Sequence, residues 1–270
     1  MPPIRQKIKV QPNGQVFQKL TPQKRVDLAK KHLEKLVDIL LEVIAIHETN
    51  RHLVYSQNIA DQIPPSDAAV AYNTLQRSMY NFELLRLASI WDSSDSNKSS
   101  IATIIALIDE PDVLKYLEKD TIEFHANSQA ANWTPEPDPS LQKLVDEMFA
   151  SSQRQFGEEQ AKKAMKSLQR VIRKAREVFS DHRFGALRLV RDKHIAHNLR
   201  KASVESKQSV ARLKFGDEKY LLKEAIVAIE KMFLWVNGAS FDISRNSHKY
   251  AAKRADDLWL NCKFDFKKQF

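Results

Sequence analysis

The sequence predicts an all-α fold, a helical bundle, from three observations. Apolar residues recur at three- and four-residue spacing over long stretches, the period of a helix with one buried face. The 270-residue chain holds only 5 glycines, few for a fold built on hairpins or phosphate-cradling loops. No hairpin signal and no internal repeat interrupts the helical pattern. The length is ample for a sizeable core. A content of 43% hydrophobic and 29% charged residues is that of a soluble globular chain.

Residues 1–20 read as an irregular arm, with Pro2, Pro3, Pro12 and Gly14 as breakers. Thr21-Pro22 is an N-cap followed by proline at the first helical position. Leu33, Leu36, Val37, Leu40, Leu41 and Ile44 then mark a long amphipathic helix over about 22–50. After Pro64-Pro65, Ser66 caps a second helix with Val70, Leu75, Met79, Phe82, Leu85, Ala88 and Trp91 as its apolar face. That helix ends in the polar run 92–97, whose side chains bond to nearby backbone. Ser99 or Ser100 caps a short helix carrying Ile101, Ile104, Ile105 and Ile108, which stops before Pro111. Another, over about 112–131, carries Val113, Leu114, Leu117, Ile122 and Phe124.

The proline-rich stretch 134–140 is a rigid, extended connection on the surface. Helices resume at Leu141, with a long one over about 158–181 and another over 184–197 packed through Leu187, Val190, Ile195 and Ala196. Residues 201–207 read as loop. Phe215-Gly216-Asp217 makes a turn, and Asp217 caps a helix with the stripe Leu222, Ile226, Ile229 and Phe233. Trp235 faces elsewhere on that helix. The tail, with Phe241, Ile243, Tyr250, Leu258, Trp259, Leu260, Phe264 and Phe266, is one more helix and an aromatic end that docks on the bundle or on a partner. The expected organisation is an arm over 1–20, a bundle over 21–239 and a C-terminal helical extension over 240–270.

The net charge of +9 is concentrated in one region. Residues 151–200 hold 13 basic and 5 acidic residues, a surplus of eight. A local positive field of this kind attracts polyanions, nucleic acid above all. The alternative is an ordinary solvated helix face. Lys162, Lys163, Lys166, Arg170, Arg173, Lys174, Arg188 and Lys193 are the candidate contacts. Cys262 is the single cysteine, which excludes an intramolecular disulfide and argues against a structural zinc site. The first ten residues lack an apolar core of signal-peptide length, and the longest apolar run, 39–46, is broken by Glu42. A cytoplasmic protein without membrane association is expected.

Within the basic region, residues 191–198 read Arg-Asp-Lys-His-Ile-Ala-His-Asn. Arginine holds a phosphate through a planar fork of donors, and histidine moves a proton near neutral pH. Together they can act on a phosphodiester without a metal. Residues six apart lie about 240° around a helix axis. Arg191 and His197 therefore meet only if the helix ends near Ala196 or a second subunit supplies the facing pair. His194 and His197, three apart, have a spacing that also suits a metal with Asp192. No further ligand cluster accompanies them, so neither a metal nor any other cofactor is expected.

Arg191-x5-His197, with Asp192 after the arginine, resembles the R-x(4–6)-H motif of HEPN domains. Residues 187–198 (LRLVRDKHIAHN), 213–217 (LKFGD) and 87–92 (LASIWD) resemble the abortive-infection, Abi U-type, branch of that superfamily. The resemblance covers about 22–237. It implies a helical HEPN-like domain that dimerises, two motifs meeting in one cleft, and metal-independent cleavage of RNA by attack of a ribose 2′-hydroxyl on the adjacent phosphate. On that reading His197 is the general acid/base and Arg191 stabilises charge on the phosphorane. Asp192 orients one of them, His194 supports the pair, and Asn198 adds a hydrogen bond. Toxins of the superfamily paired with a nucleotidyltransferase antitoxin often carry a tyrosine two residues after the histidine. Leu199 stands there, so modification on that tyrosine is not available.

The function expected is an endoribonuclease acting as a toxin or phage-defence effector, with RNA, a second copy and an antitoxin or defence partner as its associates. The alternatives are a non-catalytic HEPN-like module that binds nucleic acid or a partner, and a structural helical protein. Arg191 then serves as the salt-bridge partner of an acidic residue such as Asp92, itself a helix-end cap. His197 is then a histidine at a helix end, where its positive form meets the dipole. Trp235, Trp259 and Phe264 are core residues before they are base-stacking platforms.

Overall fold

The computed structural model describes residues 17–128, 139–196, 213–239 and 242–266; for 127–128, 139–140, 193–196 and 244 it describes the backbone alone. Among these residues the structure is all-α. The helices are α1 (Pro22–Leu53), α2 (Asp67–Ile90), α3 (Ile101–Ile108), α4 (Pro111–Ser128), α5 (Pro139–Phe179), α6 (His182–Ala196), α7 (Asp217–Asn237) and α8 (His248–Trp259). A 3₁₀ turn spans Ala60–Gln62, and a π turn, Ile243–Ser247, leads into α8.

Helix α1 is the pole around which the others pack, touching α2, α3, α4, α7 and α8. Its 32 residues span roughly 48 Å. Thr21 Oγ1 accepts the Lys24 N–H at 3.4 Å, and Pro22 takes the first-turn position where its missing N–H costs nothing. Leu33, Leu36, Leu40 and Val43 are fully buried. Arg25 is buried on the same helix, where Nε and Nη2 donate to the carbonyls of Leu107 and Ala106 at 2.9 and 3.0 Å. Those carbonyls end α3 and have no partner within it, so the guanidinium closes a second helix's end. Ser100 Oγ caps α3 by accepting from Thr103 N–H at 3.2 Å, as the sequence predicts.

Helix α2 corrects the expected apolar face. Val70, Leu75 and Phe82 are exposed by 65%, 44% and 44%. The buried face is Tyr72, Glu83, Leu84, Leu87 and Ala88, with Trp91 just beyond the last turn. The helix carries apolar residues around more than one face, and the face pressed on α1 is chosen by partners for Glu83 as well as by hydrophobicity. Trp91 is fully buried, donating from Nε1 to the Leu221 carbonyl at 3.2 Å and meeting Phe179 edge-on at 5.4 Å.

Further differences concern ends. Phe17 is 1% exposed and packs in the core, so the expected arm joins the bundle before residue 20. Residues 129–138 lie outside the description, but Pro139 and Ser140 already belong to α5, a single helix of 41 residues where two were expected. Proline suits the first turn of a helix as well as an extended linker. Ser66 takes the cap position of α2, as expected, but its side chain makes no capping bond: its Oγ donates to the Pro64 carbonyl at 2.8 Å. Asp217 does not cap α7; the cap position is Gly216, and Asp217 is the first helical residue. The α4–α5 pair is tightened at Gly157, where an added Cβ would meet the Ile122 carbonyl oxygen at 2.9 Å.

Helix α8 is held to α1 mainly by polar pairs. His248 Nε2 and Glu48 Oε1 lie 2.6 Å apart, His52 Nε2 and Asp256 Oδ1 2.8 Å, and Arg51 bridges Glu48 and Asp256. Beside them Leu53, Ile59 and Tyr72 form a small apolar cluster against which Trp259 and Cys262 pack. No helix among the described residues is long and apolar enough to cross a membrane.

Candidate functional site

Helix α6 follows α5 after only Ser180 and Asp181, and it carries Arg191 to the end of α2. There Arg191 Nη1 donates to Asp92 Oδ1 at 2.6 Å, while Nε and Nη2 donate to Asp192 Oδ1 at 3.0 and 2.9 Å. Asp92 also accepts from Lys98 Nζ at 2.9 Å and from the Ser93 N–H at 2.7 Å. Burial by itself would raise the Asp92 pKa. The Lys98, Ser93 and Arg191 hydrogen bonds outweigh it and hold the carboxyl below the usual carboxylate range. Burial likewise works against the charge on Arg191, and the bonds to Asp92 and Asp192 override it and raise its pKa. The Arg191 side chain keeps 20% of its surface exposed. Its guanidinium has five N–H groups, of which these bonds use three. The remaining donors give a cation oriented on both flanks and still able to meet an anion.

The pairing of Arg191 with Asp92 is the contact that the non-catalytic reading of the sequence offers as an example. His197 and Asn198 lie outside the described residues, as do the side chains of Lys193 and His194. Lys162, Lys166, Arg170 and Arg173 follow one another at four, four and three residues along α5, all exposed, with Lys163 and Lys174 beside them. Lys162, Lys163, Lys166, Arg170 and Arg173 make no ion pair among the described residues, whereas Lys174 sits 3.4 Å from Glu177. Arg188 is exposed on α6, 6.0 Å over the Phe184 ring. No group of three or more potential metal ligands occurs among the described residues.

Sequence reading missed a second polar cluster. Glu83, fully buried on α2, accepts from Asn50 Nδ2 at 2.6 Å and from the Tyr55 hydroxyl at 2.8 Å, and lies 2.6 Å from His47 Nδ1. Glu218, 2% exposed on α7, accepts the Gly216 N–H at 3.0 Å on both oxygens. Burial raises the Glu218 pKa. It also pushes the Tyr80 hydroxyl up to about 12, with Glu218 and Glu83 acting in the same direction, and raises Tyr55 further still. A signal was present in the chain: His47 continues the buried helical series Leu40, Val43, Ile44, and Glu83 directly precedes the apolar Leu84.

An all-α bundle with an R-x5-H motif beginning on the helix that follows its longest one has the form of the HEPN class. The chain belongs within it to the AbiU2 family, an abortive-infection branch, whose model matches residues 29–255. That span takes in α1 from its second turn and most of α8. No curated protein and no solved structure matches the chain.

Proposed function

We propose that the protein is a metal-independent endoribonuclease acting as a toxin or phage-defence effector. The observation that carries this reading is Arg191: a partly exposed guanidinium, aligned by Asp92 and Asp192, six residues before His197 in a HEPN chain. In the reaction His197 removes the 2′-hydroxyl proton. The 2′-oxygen bonds to phosphorus, the bond to the 5′-oxygen breaks, and that oxygen receives a proton from a second histidine. The products are a 2′,3′-cyclic phosphate and a 5′-hydroxyl. An imidazole with a reference pKa of about 6.5 suits both transfers, and a homodimer places two such motifs in one cleft. Arg191 stabilises the added charge on the phosphorane. His194 and Asn198 support the pair, and the exposed cations of α5, with Arg188 and Lys193, hold the strand. The setting is cytoplasmic, and an antitoxin or defence partner restrains the activity.

Expression of the unaltered chain beside the Arg191→Ala/His197→Ala variant tests this. Growth arrest and fragmented RNA are expected only from the former, and toxicity that survives the double change sinks the reading. With purified protein, cleavage is expected to continue in chelator. A second reading is a non-catalytic module that binds RNA or a partner. It is favoured by the carboxylates already on the Arg191 fork. RNA bound in a salt-sensitive way yet intact after long incubation would support it.

A further inference from the structure

The turn ahead of α7 displays one aromatic ring on a rigid base. Phe215 is 71% exposed, yet its position is fixed from several sides. Gly216 takes φ +95°, in the left-handed region, with its N–H held by buried Glu218. Asp217 Oδ2 accepts the Lys214 N–H at 2.8 Å. The Phe215 ring stacks on Tyr80, 5.7 Å between centroids at 14°, and meets Tyr55 edge-on at 5.5 Å and 88°. Tyr55 is in turn anchored through its hydroxyl to Glu83. Two buried carboxylates thus serve to hold one ring that is itself 71% exposed.

We propose that Phe215 and Tyr80 form a stacking platform for one base of single-stranded RNA; this rests on the RNA reading above. A base needs a rigid aromatic face, and every base offers a π-face to it. The surroundings suit a nucleotide better than an apolar protein groove. Lys214 and Lys219, one position before and four after Phe215, are exposed, and Arg183 lies 3.4 Å from Asp217 and 4.0 Å over the Tyr220 ring. Arg183, paired with Asp217 of the same turn, precedes Arg191 by eight residues on α6, a rise of about 12 Å along that helix.

The test uses the full chain and a 2′-O-methylated oligoribonucleotide, which lacks the attacking hydroxyl, with 2-aminopurine placed at successive positions. Binding to the unaltered protein is expected to quench the fluorophore in one register. Phe215→Leu is expected to remove the quench and weaken binding by about tenfold, the loss of one stacked base. Phe215→Tyr is expected to keep both. Binding with no quenched register, or a Leu variant as good as the original, overturns the platform and leaves the RNA reading standing. An unaltered protein that binds no RNA even at low salt overturns both. Because the quench is read first on the unaltered chain, a poorly folding variant does not blunt the test.

Discussion

At the scale of single residues, Arg191 is the position where charge, orientation and exposure coincide. Its fork lies between two carboxylates, an arrangement that a lysine ammonium cannot reproduce because it lacks the planar donor geometry. Arg191→Lys is therefore expected to lower the rate of RNA cleavage by about 100-fold or more, the scale of losing one transition-state donor. Thermal unfolding should shift little, and single-turnover assays on a short RNA check the rate. Asp92 carries a prediction in pH. Its folded pKa lies below its ordinary value, so its contribution to stability is present above an unfolded pKa of about 3.9 and lost as pH falls through the folded value. Asp92→Asn is expected to lower the urea midpoint near neutral pH and to converge with the unaltered protein in strong acid. Equal gaps at pH 7 and pH 2.5 would contradict this.

At the scale of elements, the α4–α5 pair depends on a close approach of backbones at Gly157. Alanine would add about 1 kcal/mol of helix preference. Its Cβ, however, would lie 2.9 Å from the Ile122 carbonyl oxygen and 3.3 Å from the Ile122 Cα. Backbone cannot swing aside as a side-chain tip can, and overpacking of this kind costs about 1–3 kcal/mol. Gly157→Ala is expected to destabilise the protein by about 1 kcal/mol net in urea unfolding; a gain in stability would show that the two helices separate freely. Helix α8 illustrates a different economy of contact. Only Ala255 is buried on it, so its place beside α1 rests mainly on Glu48, Arg51, His52, His248 and Asp256.

Across the whole molecule, the surplus of positive charge gathers on α5 and α6. Lys162, Lys166 and Arg170 lie exposed on one side of α5 without ion pairs among the described residues. On a single strand each phosphate contact contributes roughly 0.7 to the slope of log affinity against log salt. The triple change to alanine is expected to reduce that slope by about 2, measured by fluorescence anisotropy between low and physiological salt. An unchanged slope would place the RNA elsewhere on the surface.

Much of this was written locally in the chain. The helical periods, the Thr21-Pro22 start, the Ser100 cap and the break at Pro111 each depend on residues within a turn or two of one another, and they set the all-α class. The Arg191-x5-His197 motif is local as well, which is why the family could be recognised from it. The buried side of α2 was not legible, because Leu75 and Phe82 are as apolar as Leu84 and Leu87 and only the contact with α1 separates them. Nor were the Glu83 and Glu218 networks, since a buried carboxylate is tolerated only where distant residues supply donors. The sequence by itself determined the helices and the identity of the charged motif. The sequence offered Asp92 only as an example of an acidic residue that could pair with Arg191; the tertiary structure decided that this partner, 99 positions earlier, meets its guanidinium, and that Tyr80 and Phe215 meet in a stack. Both follow from long-range packing, which brings partners together across a separation that no periodicity records.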